Sequence, residues 1–201
     1  MKRTKEEALK TRELLLQCAV KVFNEKGYAN ATLSDIAEEA ELTRGAIYHH
    51  FGNKDDFIDA IIQTNKDRIN FLVQEVLDSK EDIFAALKKV FSTLLAKLET
   101  DKFFRSSEEL LLKMQLSGDL SHHKCKLHDA ANEGFKQLHK AFEEAKEKGL
   151  ISKDKDSNNF TVQIISAYLG TFITWLIHPE IVSLQKDGTA ILDRVIENIK
   201  I

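Results

Sequence analysis

The chain has 201 residues, of which 43% are hydrophobic and 30% are charged, and its formal net charge at pH 7 is −3. This balance is that of a soluble globular protein long enough to bury a hydrophobic core. Two cysteines are too few for a disulfide framework, so a reducing compartment is expected, and the charged stretch at residues 1–7 is not expected to act as a secretory signal. One proline and eight glycines, in a sequence rich in Leu, Lys, Glu and Ala, favour long helices.

Three helices are predicted in the first 51 residues. Apolar residues recur at helical spacing over residues 10–26, and Gly27 ends that segment as a C-cap. Thr32 and its neighbours offer N-caps for a helix of two turns, and Thr43 caps a second very short helix that runs to about Phe51. Such short helices are not stable alone, so they need the first helix as a third wall.

Six more helices are predicted after the break at Gly52 and Asn53. The apolar spacing places them at about 54–76, 83–98, 110–116, 121–148, 157–177 and 189–200, with 178–188 as a loop. No strand alternation or internal repeat is visible. We therefore expect an all-α fold of about nine helices, with a small front module and a larger module behind it.

The two short helices, joined by a tight turn at Glu41 and Leu42, predict a helix-turn-helix whose second helix enters a DNA major groove. Helical spacing directs Ala46, Ile47 and Phe51 inward and Thr43, Arg44, Gly45, Tyr48 and His49 outward. No acidic residue occurs from Leu42 to Lys54, although residues 1–55 carry nine basic and nine acidic side chains. The charges are therefore segregated, and a local basic surface is expected.

The chemistry of the outward residues suits DNA. Arg44 has the geometry to read a guanine edge, and the small Gly45 and Ala46 let the backbone approach the duplex closely. Hydroxyl and ammonium groups suited to phosphate oxygens are those of Thr43, Tyr48 and Lys54. Lys54 also begins the next helix, whose N-terminus favours an anion.

The stretch TLSDIAEEAELTRGAIYHHFGNKDDF, from Thr32 to Phe57, resembles the DNA-binding module of the TetR family of bacterial repressors. The opening KRTKEEALKTR and the tail AYLGTFITWLIHPEIVSL are similar to the AcrR-like branch of that family, which represses multidrug efflux pumps. The resemblance implies a DNA-binding domain over residues 1–55 and a ligand-binding and dimerisation domain over residues 56–201.

The resemblance also implies roles for single residues. Arg44, Gly45 and Ala46 would meet base edges, and Thr32, Thr43, Tyr48, His49 and Lys54 would hold the phosphate backbone. Two positions depart from the family pattern. Position 41 is commonly glycine and is Glu41 here, so the turn is expected to be altered; the residue after the tyrosine is often aromatic and is His49 here. The basic residues near the N-terminus form either a solvated end or an arm that follows the DNA backbone.

The segment 160–177 carries no charge over 18 residues, which is just long enough to span a membrane. It contains polar residues and stands alone, so a buried dimer interface is the preferred interpretation, with no membrane. Pairing of the 157–177 and 189–200 helices with their copies would give a four-helix bundle and a homodimer that reads a palindromic operator in double-stranded DNA.

The middle helices are larger than dimerisation requires, and the family uses this region as a ligand pocket. Candidate residues for contact with a small lipophilic ligand are Ile62, Lys66, Ile69, Val73, Phe103, Phe104 and Arg105. Aromatic residues concentrate in this region, although each is more often plain core. The regulated gene would be one for efflux or detoxification.

Two alternatives remain open. His122, Cys125 and His128 are spaced three residues apart on a presumed helix, and a metal- or haem-sensing regulator would use them, although this spacing converges poorly. No metal or cofactor is expected for that reason. A purely architectural DNA-binding protein is the other alternative, but it would not need so large a back module. No phosphate loop, nucleophile elbow or paired catalytic carboxylates are present, so an enzyme is not expected. The preferred hypothesis is a cytoplasmic, homodimeric, ligand-responsive repressor.

Overall fold

The computed structural model describes residues 5–77, 82–118 and 124–199, with side chains described for all of these except 75–77 and 124–132. Within those ranges the chain is all-α and has nine α-helices and no strand, which confirms the predicted fold class. The helices are α1 (Lys5–Lys26), α2 (Leu33–Glu39), α3 (Arg44–Tyr48), α4 (Lys54–Leu77), α5 (Ile83–Thr100), α6 (Lys102–Ser117), α7 (Lys124–Glu147), α8 (Ser157–Ile177) and α9 (Thr189–Glu197).

The chain packs as two compact units. The first consists of Met1–Asp67 and Lys102–His128, and the second of Arg68–Asp101 and Asp129–Ile201. Both units therefore take residues from two separate stretches of sequence. The functional boundary expected at residue 55 lies within the first unit and stays a prediction.

In the first unit, α1 begins five residues before the segment that apolar spacing indicated. The first turns of α1 are exposed and have no apolar stripe, which is why the spacing missed them. Residues with high helix propensity and an ion pair of 2.8 Å between Lys10 and Glu6, one helical turn apart, extend the helix there.

Helix α6 begins at Lys102, whereas the spacing placed its start near Leu110. Its buried stripe includes Phe104, Ser107, Leu110 and Met114. Ser107 is fully buried and its hydroxyl is hydrogen-bonded to Asn65, so a polar residue occupies one position of the stripe. An apolar pattern cannot show such a position, because the partner lies 42 residues away.

In the second unit, α5, α8 and α9 pack together, and the connection between α8 and α9 differs from the prediction. Residues Leu184–Gly188, expected to be loop, form one π-helical turn that leads directly into α9. The Glu99 carboxylate accepts hydrogen bonds from the backbone N–H of Leu184 at 2.6 Å and of Gln185 at 3.4 Å. The free amides at the start of this turn are thus satisfied by α5, and Leu184 is fully buried.

Helix α8 is the only helix in the described part of the chain that is long and apolar enough to cross a membrane by length and composition. Within a single chain, 28% of its most apolar window is buried. The buried residues include Phe160, Ile164 and Phe172, whereas Val162, Leu169 and Ile177 are exposed. One face of α8 therefore belongs to the core of the second unit, and the other face is apolar and uncovered.

Candidate DNA interface

The two short helices α2 and α3 are held by a shared core with α1 and the start of α4. Phe23, Ile36, Ile47 and Phe57 are almost completely buried there. Phe51, which follows α3, stacks on Phe57 with ring centroids 3.9 Å apart. This core supplies the stability that five- and seven-residue helices lack by themselves.

Helix α2 begins with a capping box. The Thr32 hydroxyl accepts a hydrogen bond from the Asp35 backbone N–H at 3.2 Å, and the Asp35 carboxylate accepts one from the Thr32 backbone N–H at 2.8 Å. Asp35 is also paired with Lys26 of α1 at 2.7 Å. The hydrogen bond from Lys26, followed by those from Thr32, lowers the pKa of Asp35 to about 2.

The turn between α2 and α3 has the hydrogen bonds of a Schellman motif. The N–H of Leu42 donates to the carbonyl of Ala37 at 2.9 Å, and the N–H of Glu41 donates to the carbonyl of Glu38 at 3.0 Å. Glu41 has a φ of 53°, the left-handed conformation for which glycine is preferred. The hydrogen bonds of the motif are therefore kept. The alteration expected from a glutamate at position 41 is backbone strain, because a residue with a side chain holds a positive φ there.

Helix α3 presents the outward face that its spacing predicts. Ile47 and Phe51 are buried and Ala46 is partly exposed, while the exposed residues are Thr43, Arg44, Gly45, Tyr48 and His49. The Thr43 hydroxyl caps α3 by accepting from the Ala46 N–H at 3.2 Å, which leaves the hydroxyl proton for another acceptor. The Arg44 guanidinium donates to the Tyr48 hydroxyl at 3.3 Å, so the two candidate DNA contacts lie side by side.

Gly45 has no internal reason to be glycine. A Cβ built on it would meet the Thr43 hydroxyl oxygen at 3.8 Å, which is ordinary van der Waals contact. Glycine also lowers the stability of a helix relative to alanine. Packing within the chain therefore does not require a glycine at position 45, and the requirement is expected to come from a molecule that approaches α3 from outside.

Two of the predicted phosphate contacts are already engaged within the protein. The Lys54 ammonium donates to the carbonyls of Tyr28 at 2.7 Å and Ala29 at 3.3 Å and lies 4.7 Å from the centre of the Tyr28 ring. The Thr32 hydroxyl donates to Asp35 at 2.7 Å. Each of these side chains thus stabilises the fold of the module, and their DNA contacts stay predictions.

Arg12 is a cation that the sequence did not single out from the other basic residues near the N-terminus. Its guanidinium lies 5.0 Å from the centre of the Phe51 ring, a cation–π contact at the end of α3. This contact brings a residue of α1 beside the recognition helix. Only the packing of Phe51 in three dimensions reveals it, since 39 positions separate the two residues.

The residues predicted for a ligand have varied burial. Ile62 and Phe104 are buried, whereas Lys66, Ile69, Val73, Phe103 and Arg105 are partly exposed. Their contact with a ligand stays a prediction. His122 lies outside the described residues, as do the side chains of Cys125 and His128, and the described residues contain no group of three potential metal ligands.

Known proteins share both the front module and the whole fold. Residues 15–61 match the family model for bacterial regulatory proteins of the tetR family. The transcriptional regulator TtgR of Pseudomonas putida is 28% identical over 203 residues, which cover 100% of this chain and 97% of TtgR. The probable acrEF/envCD operon repressor of Escherichia coli is 28% identical over 214 residues, which cover 97% of this chain and 89% of that repressor.

Among solved structures, the complex of SmeT from Stenotrophomonas maltophilia with triclosan superposes with a TM-score of 0.79 at 26% identity, covering 95% of this chain and 92% of SmeT. These relatives are regulators, and none of them is an enzyme. The chain has the geometry of a helix-turn-helix and resembles these relatives over most of their length. Residues 15–61 are thus a DNA-binding domain of the tetR type, and the whole chain is similar to regulators of the AcrR-like branch, which supports a DNA-binding transcriptional repressor.

Proposed function

We propose that this repressor acts as a homodimer on a palindromic operator and is released from it by a small lipophilic ligand, in control of an efflux or detoxification gene. The observation that carries the proposal is the exposed face of α3, whose side chains suit base edges and phosphates. The same chain also has an uncovered apolar face on α8. SmeT, which represses a multidrug efflux pump, has been solved with triclosan bound, which supports a lipophilic ligand.

On DNA, we propose that Arg44, Gly45 and Ala46 contact base edges. The residues proposed to contact phosphates are Thr32, Thr43, Tyr48, His49 and Lys54. The α3 residues in this set are exposed or partly exposed. Thr43 is free to donate its hydroxyl proton. For Lys54, two of three N–H groups are used by backbone carbonyls, so the third is the one for a phosphate. Residues 1–55 are the DNA-binding domain in this proposal.

Dimerisation through α8 and α9 follows from the surface that the single chain leaves bare. Val162, Leu169, Ile173 and Ile177 recur at helical spacing and are exposed on α8, and Ile191 is exposed on α9. Burial of each such side chain contributes roughly 1.5–3 kcal/mol. Small residues lie between them, with Gly170 and Ser166 exposed on the same helix, so two copies can approach closely. In this proposal a second copy of the chain, not a membrane, covers the exposed face of α8, and a cytoplasmic location is consistent with a protein that acts on DNA.

The ligand is proposed to contact the candidate residues of the larger domain, over residues 56–201. Helix α4 is continuous from Lys54, beside the reading helix, to Leu77, and it carries four of those candidates: Ile62, Lys66, Ile69 and Val73. A shift of α4 would change the separation of the two recognition helices in the dimer. Free protein would fit half-sites about one DNA turn, ~34–36 Å, apart. In the other conformation, the separation of the recognition helices does not match the half-sites. A ligand releases the protein from the operator if it favours that conformation by a few kcal/mol.

The test combines selection of bound sequences with ligand release. The purified protein is incubated with random duplex DNA, and the recovered sequences are expected to contain a dyad-symmetric site. Lipophilic dyes, bile salts and triclosan are then screened for a raised melting temperature and for release of that site. Recovery of sequences without dyad symmetry contradicts the dimeric mode of reading. A dyad site that no compound releases contradicts the ligand response alone.

A further inference from the structure

Arg12 of α1 lies beside the end of the recognition helix α3. Its guanidinium carbon is 5.0 Å from the centre of the Phe51 ring, which also stacks on the Phe57 ring at 3.9 Å between centroids. Phe51 is 3% exposed, whereas Arg12 is partly exposed. The arginine therefore lies at the boundary between the core of the front module and the solvent, just after α3 ends.

The contact with Phe51 leaves the hydrogen-bonding groups of Arg12 unused. A guanidinium interacts with an aromatic ring through its charge, whereas its five N–H donors lie in the plane of the group. Among the residues that the structure describes, Arg12 has no carboxylate partner and no hydrogen-bond acceptor. Its donors are therefore available to an acceptor that approaches from outside.

The lysines of α1 show that unbalanced charge is not a general property of this helix. Three of them are each paired with a carboxylate at 2.7–2.8 Å, in the pairs Lys10–Glu6, Lys21–Glu39 and Lys26–Asp35. The remaining one, Lys5, is exposed at the first position that the structure describes. The charge of Arg12 is thus the one beside α3 that no acid of the described chain balances.

Shielding of Phe51 does not require an arginine. A methionine would cover the ring with its own apolar surface and a sulfur–aromatic contact, and it would carry no charge. A cation–π contact at a partly exposed position contributes little by itself. The charge at position 12 is therefore expected to serve an anion that reaches α3.

The surface beside Arg12 indicates which anion this is. The exposed face of α3 includes Arg44, Tyr48 and His49. The major groove is about 12 Å wide and an α-helix with its side chains is about 10–12 Å across, so a helix that enters the groove fills it. The phosphates that border the groove then lie against the groups beside that helix, and Arg12 is one of these groups.

We propose that Arg12, held against the Phe51 ring, binds a phosphate of the DNA backbone at the end of the recognition helix. The inference rests on the proposed DNA binding and adds a contact from α1, a helix that does not enter the groove. A guanidinium can donate two parallel hydrogen bonds to the oxygens of one phosphate. Because every base pair carries phosphates, the contact strengthens binding to all sequences and fixes how α3 sits in the groove.

The test is the salt dependence of DNA binding, because each phosphate contact releases counterions from the duplex. The full chain is titrated by fluorescence anisotropy with two labelled duplexes, one with the dyad site recovered by selection and one with the same bases scrambled. Arg12→Met removes the charge and keeps a side chain that covers Phe51. Between ~50 and ~200 mM KCl, the slope of log affinity against log salt concentration is expected to become shallower by about 0.9 per copy, or about 1.8 per dimer. The loss of affinity is then about tenfold larger at the lower salt concentration, and it is similar for both duplexes.

Lys10→Met is the matched control, because it makes the same change in net charge on the same helix at a lysine that is already paired with Glu6. It is expected to leave the slope unchanged. Arg12→Lys keeps the charge and is expected to keep the slope. The melting temperatures of the free variants show whether they are folded, and Arg12→Gln, with the same expected slope, replaces Arg12→Met if that variant does not fold.

Three results would overturn the role of Arg12. An unchanged slope in Arg12→Met would show that the arginine only shields Phe51. An equal change in Lys10→Met would attribute the effect to net charge, and a loss confined to the dyad site would attribute it to base recognition. Failure of the unmodified protein to bind either duplex contradicts the proposed DNA binding instead, so the two proposals fail in different ways.

Discussion

The helix-turn-helix and the α8–α9 region reach their structures by different routes. In the helix-turn-helix, local signals decide each element: Thr32 and Thr43 cap α2 and α3, and the turn at Glu41 closes through backbone bonds within six residues. In the α8–α9 region, the π-helical turn before α9 depends on Glu99, 85 residues before Leu184. The comparison teaches that the ends of α2 and α3 are encoded locally, although a core shared with α1 and α4 stabilises both helices, whereas the α8–α9 region is built by contacts distant in sequence.

The largest effect is expected from a charge placed on the exposed face of α8. Leu169→Glu would bury a carboxylate at the proposed dimer interface of both copies, at about 2 kcal/mol each, which is roughly a thousandfold in the dimer Kd. Sedimentation should show monomers at micromolar concentration, and binding to a palindromic site should be lost. Leu150→Glu, at a residue of similar exposure in the loop after α7, is the control and should remain dimeric. An unchanged dimer in the Leu169 variant places the interface elsewhere.

The next effect tests how locally the reading surface is organised. Arg44→Ala is expected to remove about 1–3 kcal/mol of discrimination at one base pair, and Tyr48→Phe to weaken binding to all sequences alike. Binding to a set of single-base variants of the selected site measures both. Because Arg44 donates to the Tyr48 hydroxyl at 3.3 Å, a changed base preference in Tyr48→Phe would show that the tyrosine orients the arginine.

A smaller effect is expected where α9 begins. A Cβ on Gly188 would lie 2.9 Å from the Thr171 side chain and 3.0 Å from Leu95, so the start of α9 touches α8 and α5 without room for alanine. Gly188→Ala should lower the free energy of unfolding by about 1–3 kcal/mol through overpacking. Urea denaturation measures the change. Gly134→Ala, on α7 with nothing near its Cβ, should instead raise stability by up to about 1 kcal/mol.

The smallest effect concerns the turn of the helix-turn-helix. Glu41→Gly should raise the free energy of unfolding by about 0.5–1 kcal/mol, because glycine adopts a φ of 53° without strain. Glu38→Gly, in the helical part of α2, should lower it by a similar amount. Thermal unfolding of the two variants measures both changes. Destabilisation by both would show that the Glu41 side chain contributes more than its backbone conformation costs.

The elements that sequence patterns predicted well are those whose partners lie nearby. Short-range caps indicated α2 and α3, and the same face of α3 that spacing directed outward is exposed. The start of α6 was missed because buried Ser107 interrupts the apolar stripe and takes its partner from α4. Glu108 was missed for the same reason, because its carboxylate accepts a hydrogen bond from the Asn65 amide at 2.7 Å and that contact depends on the packing of α4 and α6.

By itself, the amino-acid sequence determined the helical class, the recognition helix and the resemblance of the front module to the tetR family, since these depend on spacing, caps and a contiguous motif. The tertiary structure alone decided which polar groups are buried, where Arg12 and Lys54 direct their charges, and that residues 184–188 form helix rather than loop. The physical reason is that burial and hydrogen-bond satisfaction are properties of segments brought together by folding, and a pattern along one segment does not contain them.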